Sequence, residues 1–311
     1  MTVPSLRLSD AEPARFRSMP IEHPSGRQPA PVEAHLFVPA DAAPAMPAMV
    51  VLTSSAGVQR HRELHYAEAL CSAGIAALII DSFSGRGVRR TVADQTLVTA
   101  VQMEGDAFAA LAWLRSDRRF DPQRIGIMGV SKGGVVALNS AIEVRRRWRD
   151  LPDLEFAAHV AICPGCTAQH RDPRTSGRPI FLMLAEKDDY TPAALAVEYA
   201  QRMRAAGRSP IKVKIYKNAH HGWESLGPLQ VVKDAQNWTS CRNLIEDDGC
   251  HFVPAAGRAL SEPEYQSWAR EHCIRLGAHA GGGTPELKQR ATGDLLAFLR
   301  EAAFTQHNDV I

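Results

Sequence analysis

A serine lies at the centre of the sequence Gly-Val-Ser-Lys-Gly, which spans 129–133. The preceding segment, 124–128, is short and apolar like a buried strand, and segment 134–143 has the composition of a helix that begins with small residues. A turn between such elements strains the serine backbone, and glycines on either side let the strand and the helix approach closely. We therefore predict that Ser131 is the nucleophile of an acyl-transfer reaction.

Four titratable residues follow two later predicted strands, and they are Asp188 and Asp189 after strand 178–185, and His220 and His221 after strand 211–216. The carboxyl ends of parallel strands share one edge of a sheet, and open α/β sheets place their sites at that edge. The order of serine, acid and histidine along the chain is one that catalytic triads use. The sequence therefore predicts that a serine, a carboxylate and an imidazole meet at one edge of a single sheet.

Each member of this set has a definite chemical role. A histidine has a pKa near enough to 7 to take the serine proton and later return it to the leaving group. The carboxylate holds the other ring nitrogen and stabilises the imidazolium. Two backbone N–H groups must bind the oxyanion that develops, and we expect one of them from Lys132 and the other from loop 53–57.

Alternating strand and helix patterns predict the elements that position these residues. The predicted elements are an edge hairpin within 13–40, strands at 49–53, 75–80 and 157–162, and helices at 62–72 and 91–115. A Pro/Ala connector at 42–47 precedes the first core strand. Thr284 and Pro285 suit a helix N-cap and first position, so a closing helix is expected over 285–303. This pattern predicts an α/β fold with a mostly parallel, doubly wound sheet and an antiparallel N-terminal hairpin. We expect one domain over 1–311, with a polar insertion at about 224–283.

Four motifs carry a family resemblance, and they are Gly-Val-Ser-Lys-Gly at 129–133, Asp-Asp-Tyr-Thr-Pro at 188–192, Tyr-Lys-Asn-Ala-His-His-Gly-Trp at 216–223 and Asp-Ser-Phe-Ser-Gly-Arg-Gly at 81–87. Over about residues 15–235 the chain resembles the dienelactone hydrolase family of α/β-hydrolases, in a branch that uses serine. Dienelactone hydrolase itself carries a cysteine nucleophile, whereas position 131 is serine here. The resemblance therefore implies the α/β-hydrolase fold and acyl transfer, and leaves a lactone substrate open.

The resemblance also implies which residues complete the triad. The family's acid lies four residues before a proline, here Pro192, and this points to Asp188. The family's histidine is followed by a glycine and an aromatic residue, and this points to His221. Asp189 and His220 stay open as the alternatives.

Further roles implied by the resemblance concern the oxyanion hole and the substrate. Ser55 aligns with the second oxyanion donor, with Ala56 as the alternative, although many α/β-hydrolases have a His-Gly pair where this chain has Thr-Ser at 53–54. Arg86 either binds a substrate carboxylate, as an arginine of dienelactone hydrolase does, or holds its own loop together. Trp223, next to the predicted base, is expected to contact the substrate.

Six cysteines in 311 residues are too few for a disulfide scaffold. The Cys-Pro-Gly-Cys sequence at 163–166 has redox spacing but follows a strand of a hydrolase-like chain, so we expect no redox role. The family resemblance implies a disulfide between Cys241 and Cys273 in the insertion.

Composition narrows the function further. A net charge of +2 gives no reason to expect nucleic acid or an anionic membrane as partner, and no apolar stretch has the length of a membrane span. The N-terminus lacks a basic region followed by an apolar core, so we expect a cytoplasmic protein. No dinucleotide-binding glycine motif follows a predicted strand. The two histidines at 61 and 65 have the spacing of a zinc protease, but the glutamate between them is not at the position that such a site needs, so we expect no cofactor and no metal.

The sequence thus predicts a cofactor-free serine hydrolase of small carboxylic esters or lactones, acting through an acyl-enzyme. A peptidase or acyltransferase on the same fold is the first alternative. A non-catalytic binding protein that retains the fold is the second. The oligomeric state is left open.

Overall fold

The computed structural model describes residues 6–21, 23, 26–41, 44–149 and 153–304. The strands are β1 (Glu12–Arg17), β2 (Pro31–Phe37), β3 (Met46–Leu52), β4 (Ala76–Asp81), β5 (Phe120–Val130), β6 (His159–Ile162), β7 (Ala168–His170), β8 (Ile180–Ala185), β9 (Ile211–Tyr216), β10 (Gln230–Asn237), β11 (Asn243–Ile245), β12 (His251–Val253), β13 (Arg258–Leu260) and β14 (Arg275–Ala280). The α-helices are α1 (His65–Ser72), α2 (Ala100–Ser116), α3 (Lys132–Asn139), α4 (Glu143–Arg146), α5 (Ala193–Ala206), α6 (Glu262–His272) and α7 (Pro285–Glu301).

Eight strands form the central sheet in the order β1-β2-β4-β3-β5-β6-β8-β9. β1 and β2 are antiparallel to each other, and β2 is antiparallel to β4. All the remaining pairs in this sheet are parallel. The predicted mostly parallel sheet with an antiparallel N-terminal hairpin is confirmed.

The sheet is covered by helices on both faces. Along β3, Val51 packs in one hydrophobic cluster with side chains of α1 and α7, whereas Val50 packs in another with side chains of α2. Every residue of β3 is buried, as expected for a short apolar strand at the centre of a doubly covered sheet. The strand ends that carry the predicted site therefore project from a rigid layer.

The predicted helix over 91–115 begins later than expected, at Ala100. Thr99 is its N-cap, because the Thr99 hydroxyl accepts from the Gln102 backbone N–H and the Gln102 side chain accepts from Thr99 N–H. Segment 91–99 instead forms a loop whose polar groups bond to other elements.

The helix expected over 134–143 is also wrong in extent, since α3 ends at Asn139 and α4 begins only at Glu143.

The closing helix is confirmed, with Thr284 accepting from the Leu287 backbone N–H at 3.2 Å. It ends at Glu301, two residues earlier than predicted. Part of the predicted connector, 42–43, lies outside the described residues.

The insertion at 224–283 is more ordered than its polarity indicates. It contains β10 paired with β14, the small strands β11 to β13, and α6. A separate hydrophobic cluster lies inside it, and the predicted disulfide between Cys241 and Cys273 is confirmed. β11 pairs in parallel with β7, which ties the insertion to the main body. The assignment of the whole chain to one domain stays a prediction.

No helix within the described ranges has both the length and the apolar character needed to cross a membrane.

Candidate active site

Ser131 occupies the sharp turn between β5 and α3. Its φ is +55° and its ψ is −114°, a conformation that non-glycine residues rarely adopt. A Cβ on Gly129 would lie 2.4 Å from the carbonyl carbon of Gly133, and a Cβ on Gly133 would lie 2.6 Å from the carbonyl oxygen of Thr53. The two glycines are therefore required by close backbone approach, as the sequence predicts.

Asp188 and His221 meet at the ends of two neighbouring strands. Asp188 follows β8, His221 follows β9, and His221 Nδ1 lies 2.8 Å from Asp188 Oδ2. Both residues are buried, with 6% and 5% of their surfaces exposed. The Nδ1–H of His221 donates to the carboxylate, which leaves Nε2 as the acceptor. This is the tautomer that a general base for a serine requires.

The carboxylate of Asp188 is held as an anion. Its Oδ1 accepts from the backbone N–H groups of Tyr190 (2.9 Å) and Thr191 (2.7 Å), and its Oδ2 accepts from the Thr191 hydroxyl (2.8 Å). Burial acts to raise the pKa of Asp188, but the electrostatic interaction and hydrogen bond with His221, together with the hydrogen bonds from Thr191, outweigh it, so the pKa lies below its ordinary value. The sequence reasoning missed Thr191, although it lies within the Asp-Asp-Tyr-Thr-Pro motif.

Asp189 and His220, the two alternatives left open by the sequence, have other environments. Asp189 is exposed and forms an ion pair with His279, with 2.6 Å between Oδ2 and Nδ1. His220 has a buried Nδ1 without a hydrogen-bond partner among the described residues. The geometry therefore pairs Asp188 with His221.

A cavity of about 230 Å³ opens beside Ser131. One wall belongs to the main body and includes Ser55, Ser131, Lys132, Tyr190 and Thr191. The opposite wall belongs to the insertion, and its members are Gln236, Trp238, His251, Glu262, Tyr265 and Gln266. We call residues 224–283 the cap, because they cover the cavity from this side.

The two predicted oxyanion residues, Ser55 and Lys132, both line the cavity. Within the described part of the chain, the backbone N–H of neither residue donates a hydrogen bond to the protein. The alternative donor, Ala56, already donates its N–H to the Ser54 hydroxyl at 3.1 Å. The geometry therefore favours Ser55 over Ala56 as the residue with a free N–H.

The side chain of Lys132 is a feature that the sequence did not predict. It is buried, and Nζ donates to the Gln95 carbonyl oxygen at 2.8 Å and to the Thr91 hydroxyl at 3.2 Å. Burial lowers the pKa of Lys132 to about 7, because neither of these partners is charged and Asp94 compensates only in part. No sequence pattern marks the lysine after the serine as buried, so its burial becomes visible only in the folded structure.

The structure bears on two residues considered as substrate contacts, and for Arg86 it favours the loop-holding alternative. The Arg86 guanidinium forms two 2.8 Å hydrogen bonds with the buried Asp106 carboxylate and one of 2.7 Å with the Ser82 carbonyl, so it serves its own loop. Trp223 is fully buried and packs against Tyr216, with ring centroids 5.1 Å apart. Neither Arg86 nor Trp223 lines the cavity.

Cys163 lies beside the acid–histidine pair. Potential ligand atoms of Cys163, Asp188 and His221 lie within 4.8 Å of one another, and within the described ranges this is the only such cluster. Burial, followed by the charge of Asp188, raises the pKa of the Cys163 thiol well above its ordinary value. A metal would need the thiolate and the lone pair on His221 Nδ1, so these residues suit an acid–base pair better than a metal centre. Cys163 and Cys166 are not bonded to each other.

The segment that contains these site residues is similar to a known family. The profile of the dienelactone hydrolase family matches residues 32–238. The matched segment exceeds half of the 311 residues and includes Ser131, Asp188 and His221. The chain belongs to the dienelactone hydrolase family.

Solved structures similar to this dienelactone hydrolase family member include an esterase from the planctomycete Thermogutta terrifontis. That structure is 14% identical, and the match covers 97% of this chain and 96% of that chain with a TM-score of 0.59. A propionate-bound structure of the esterase is 15% identical, with 86% and 94% coverage and a TM-score of 0.52. Thermogutta terrifontis esterase 2 phosphorylated by paraoxon is 18% identical, with 70% and 86% coverage and a TM-score of 0.51. At these identities the likeness shows a shared fold. No curated protein matches the chain.

Proposed function

We propose that this protein is a serine hydrolase that cleaves small carboxylic esters or lactones through an acyl-enzyme. The observation that carries the proposal is the buried Asp188–His221 pair, joined at 2.8 Å, which lies at the same sheet edge as the strained Ser131. Membership of a hydrolase family supports the same reaction class.

In the proposed reaction Ser131 Oγ forms a bond to the ester carbonyl carbon while His221 Nε2 takes the hydroxyl proton. The tetrahedral intermediate then breaks its bond to the alcohol oxygen, which receives the proton from His221. Water repeats these steps on the acyl-enzyme and releases the carboxylic acid. Asp188 stabilises the imidazolium at both stages, because its carboxylate is already held ionised by Thr191 and the local backbone.

The oxyanion of each tetrahedral intermediate would be bound by the N–H groups of Ser55 and Lys132. Both residues line the cavity beside Ser131, and neither N–H is committed to an acceptor within the described residues. Donors fixed before the reaction stabilise developing charge without further reorganisation.

The cavity volume supports a small substrate. At about 230 Å³ it falls below the range of about 300–1,000 Å³ that is common for sites of drug-sized ligands. The Thermogutta terrifontis esterase, whose fold this chain shares, has been solved with propionate bound, and this too favours a short acyl group.

Two other functions compete with this proposal. A peptidase or an acyltransferase would use the same residues, but the narrow covered cavity favours a small ester over a peptide. A non-catalytic binding protein would have no need for an acid–histidine pair in this tautomer.

Pre-steady-state hydrolysis of p-nitrophenyl propionate tests the proposal. An acyl-enzyme predicts a burst of p-nitrophenol that approaches one equivalent, followed by slower turnover. Ser131→Ala is the control, and it should abolish the burst while the protein stays folded. Hydrolysis that persists in Ser131→Ala would exclude Ser131 as the nucleophile, and the absence of any turnover in folded wild type would favour the binding protein.

A further inference from the structure

The loop 91–99, which replaces the first part of a predicted helix, holds Ser55 at two points. The Thr91 backbone N–H donates to the Ser55 carbonyl oxygen at 2.8 Å. The Ser55 hydroxyl donates to Gln95 Oε1 at 2.9 Å. The loop thus fixes Ser55 while its backbone N–H stays free to face the cavity.

The same two loop residues also bind Lys132. Lys132 Nζ donates to the Gln95 carbonyl oxygen at 2.8 Å and to the Thr91 hydroxyl at 3.2 Å. Ser55 and Lys132 belong to different strand–helix units, since one follows β3 and the other begins α3. Thr91 and Gln95 therefore bridge the two residues whose N–H groups form the proposed oxyanion hole.

Gln95 further contacts the acid–histidine side of the site. Its Nε2 donates to the Tyr190 hydroxyl at 3.3 Å. The Tyr190 ring lies edge-on to the His221 ring, with centroids 4.9 Å apart. The amide of Gln95 thus contacts the oxyanion side of the site through Ser55 and the histidine side through Tyr190.

The cap binds this loop through Gln236. The Gln95 backbone N–H donates to Gln236 Oε1 at 2.9 Å, and the Gln236 backbone N–H donates to the Val92 carbonyl at 3.0 Å. The position of the cap is thereby transmitted to the loop that holds Ser55.

We propose that Gln95 is a positioning residue that aligns the two oxyanion donors and links their alignment to the cap. This inference rests on the proposed serine hydrolase function. Gln95 also lines the cavity, but its side-chain amide is bonded to Ser55 and Tyr190. Its loss therefore weakens binding of the tetrahedral oxyanion more than binding of the neutral ester.

The test compares Gln95→Met with wild type and with Leu97→Ala. Methionine preserves side-chain length and removes both amide contacts. Leu97 lies in the same loop, but its side chain is exposed and does not line the cavity. The first readouts are kcat and KM for p-nitrophenyl propionate. The others are two inhibition constants. One is for phenylboronic acid, which forms a tetrahedral adduct with serine, and the other is for a neutral amide analogue of the ester.

For Gln95→Met we expect kcat to fall about 10–100-fold, below the cost of deleting an oxyanion donor outright, and the boronic acid constant to rise by a similar factor. KM and the constant for the neutral amide should change less than about threefold, and Leu97→Ala should resemble wild type. Equal weakening of boronic acid and amide, or unchanged kcat, would overturn the proposal.

Two results separate this inference from the proposed function. A wild-type protein with no turnover and no boronic acid adduct contradicts the serine hydrolase itself, whereas an active wild type with an unaffected Gln95→Met contradicts only the positioning role. If Gln95→Met does not fold, Gln236→Met provides the second test. It should lower kcat about 3–10-fold with the same selective loss of boronic acid binding, and an unchanged kcat would overturn the link to the cap.

Discussion

At the scale of single residues, the environment of two adjacent carboxylates separates their roles. Asp188 is buried, accepts hydrogen bonds from its own loop and contacts His221, whereas Asp189 is exposed and pairs with His279. The carboxylate that orients a catalytic imidazole must contact it and stay ionised, and only Asp188 does both.

This difference predicts unequal effects of two matched variants. Asp188→Asn should lower kcat by about 10³–10⁴-fold with little change in KM, because the amide favours the wrong histidine tautomer. Asp189→Asn should change kcat by less than about threefold, because it removes only an exposed ion pair. Steady-state kinetics on the two proteins checks both expectations, and a larger loss for Asp189→Asn would show that the acid is misassigned.

A second prediction at this scale concerns Lys132 and the dependence of the free energy of unfolding on pH. Burial lowers the pKa of Lys132 to about 7, whereas an unfolded lysine titrates near 10.4. Below pH 7 both states bind the proton, so the cost of the buried charge is constant. Between pH 7 and about 10 the unfolded state binds more protons, so stability rises with pH by at most about 1.4 kcal/mol per unit.

Urea unfolding of wild type and Lys132→Met measures this effect. The free energy of unfolding of wild type should increase relative to that of Lys132→Met as the pH rises from about 7 to 10. Between about pH 5 and 6 the difference between the two proteins should stay constant. Leu97→Ala, which changes an exposed side chain of the adjacent loop, provides the control. A difference that does not vary with pH would mean that Lys132 keeps an ordinary pKa.

At the scale of elements, the cap depends on the Cys241–Cys273 disulfide. The bond joins the segment after β10 to the end of α6, and Trp238 and Tyr265, which line the cavity, belong to the same small cluster. The cluster is small, so a covalent link contributes much of its stability.

Replacement of both Cys241 and Cys273 by alanine should therefore loosen the cap selectively. We expect a loss of about 2–4 kcal/mol in the local free energy of opening, and a higher KM with a smaller change in kcat. Hydrogen exchange across 224–283 measures the opening. Cys250→Ala, which removes an unbonded cysteine of the cap, should leave exchange unchanged, and equal protection in the double variant would contradict this role of the disulfide.

Elements that arise from local sequence could be predicted, and those that depend on distant partners could not. The turn at Ser131 and the cap of α7 follow from glycine, threonine and proline at fixed positions. Loop 91–99 has the apolar spacing of a helix, but Lys132 and Ser55 bind its polar groups and prevent its continuation from α2. No local pattern contains that information.

The same limit applies to the two residues considered as substrate contacts. Arg86 is bound by Asp106, a residue 20 positions away that is buried on the inner side of α2. Trp223 lies two residues after the predicted base, yet its ring packs into the core beside Tyr216. Sequence order places these residues near the site, whereas packing decides where their side chains lie.

At the scale of the whole molecule, the sheet edge and the cap line a partly open cavity of about 230 Å³. This small volume predicts selectivity for short substrates. In a series of p-nitrophenyl esters, kcat/KM should be highest for acyl chains of about two to four carbons and at least about tenfold lower for chains of about ten carbons. A maximum at long chains would show that the cap opens far more than the structure indicates.

The central claim is that Ser131 is the nucleophile served by His221 and Asp188, and covalent labelling tests it most directly. Thermogutta terrifontis esterase 2, which shares this fold, is phosphorylated by paraoxon. Incubation of the protein with paraoxon, followed by intact-mass measurement and peptide mapping, should give one diethylphosphoryl group per chain on Ser131, with none in Ser131→Ala and much slower labelling in Asp188→Asn. A single adduct on another residue, or a folded wild-type protein that paraoxon leaves unmodified, would contradict the account.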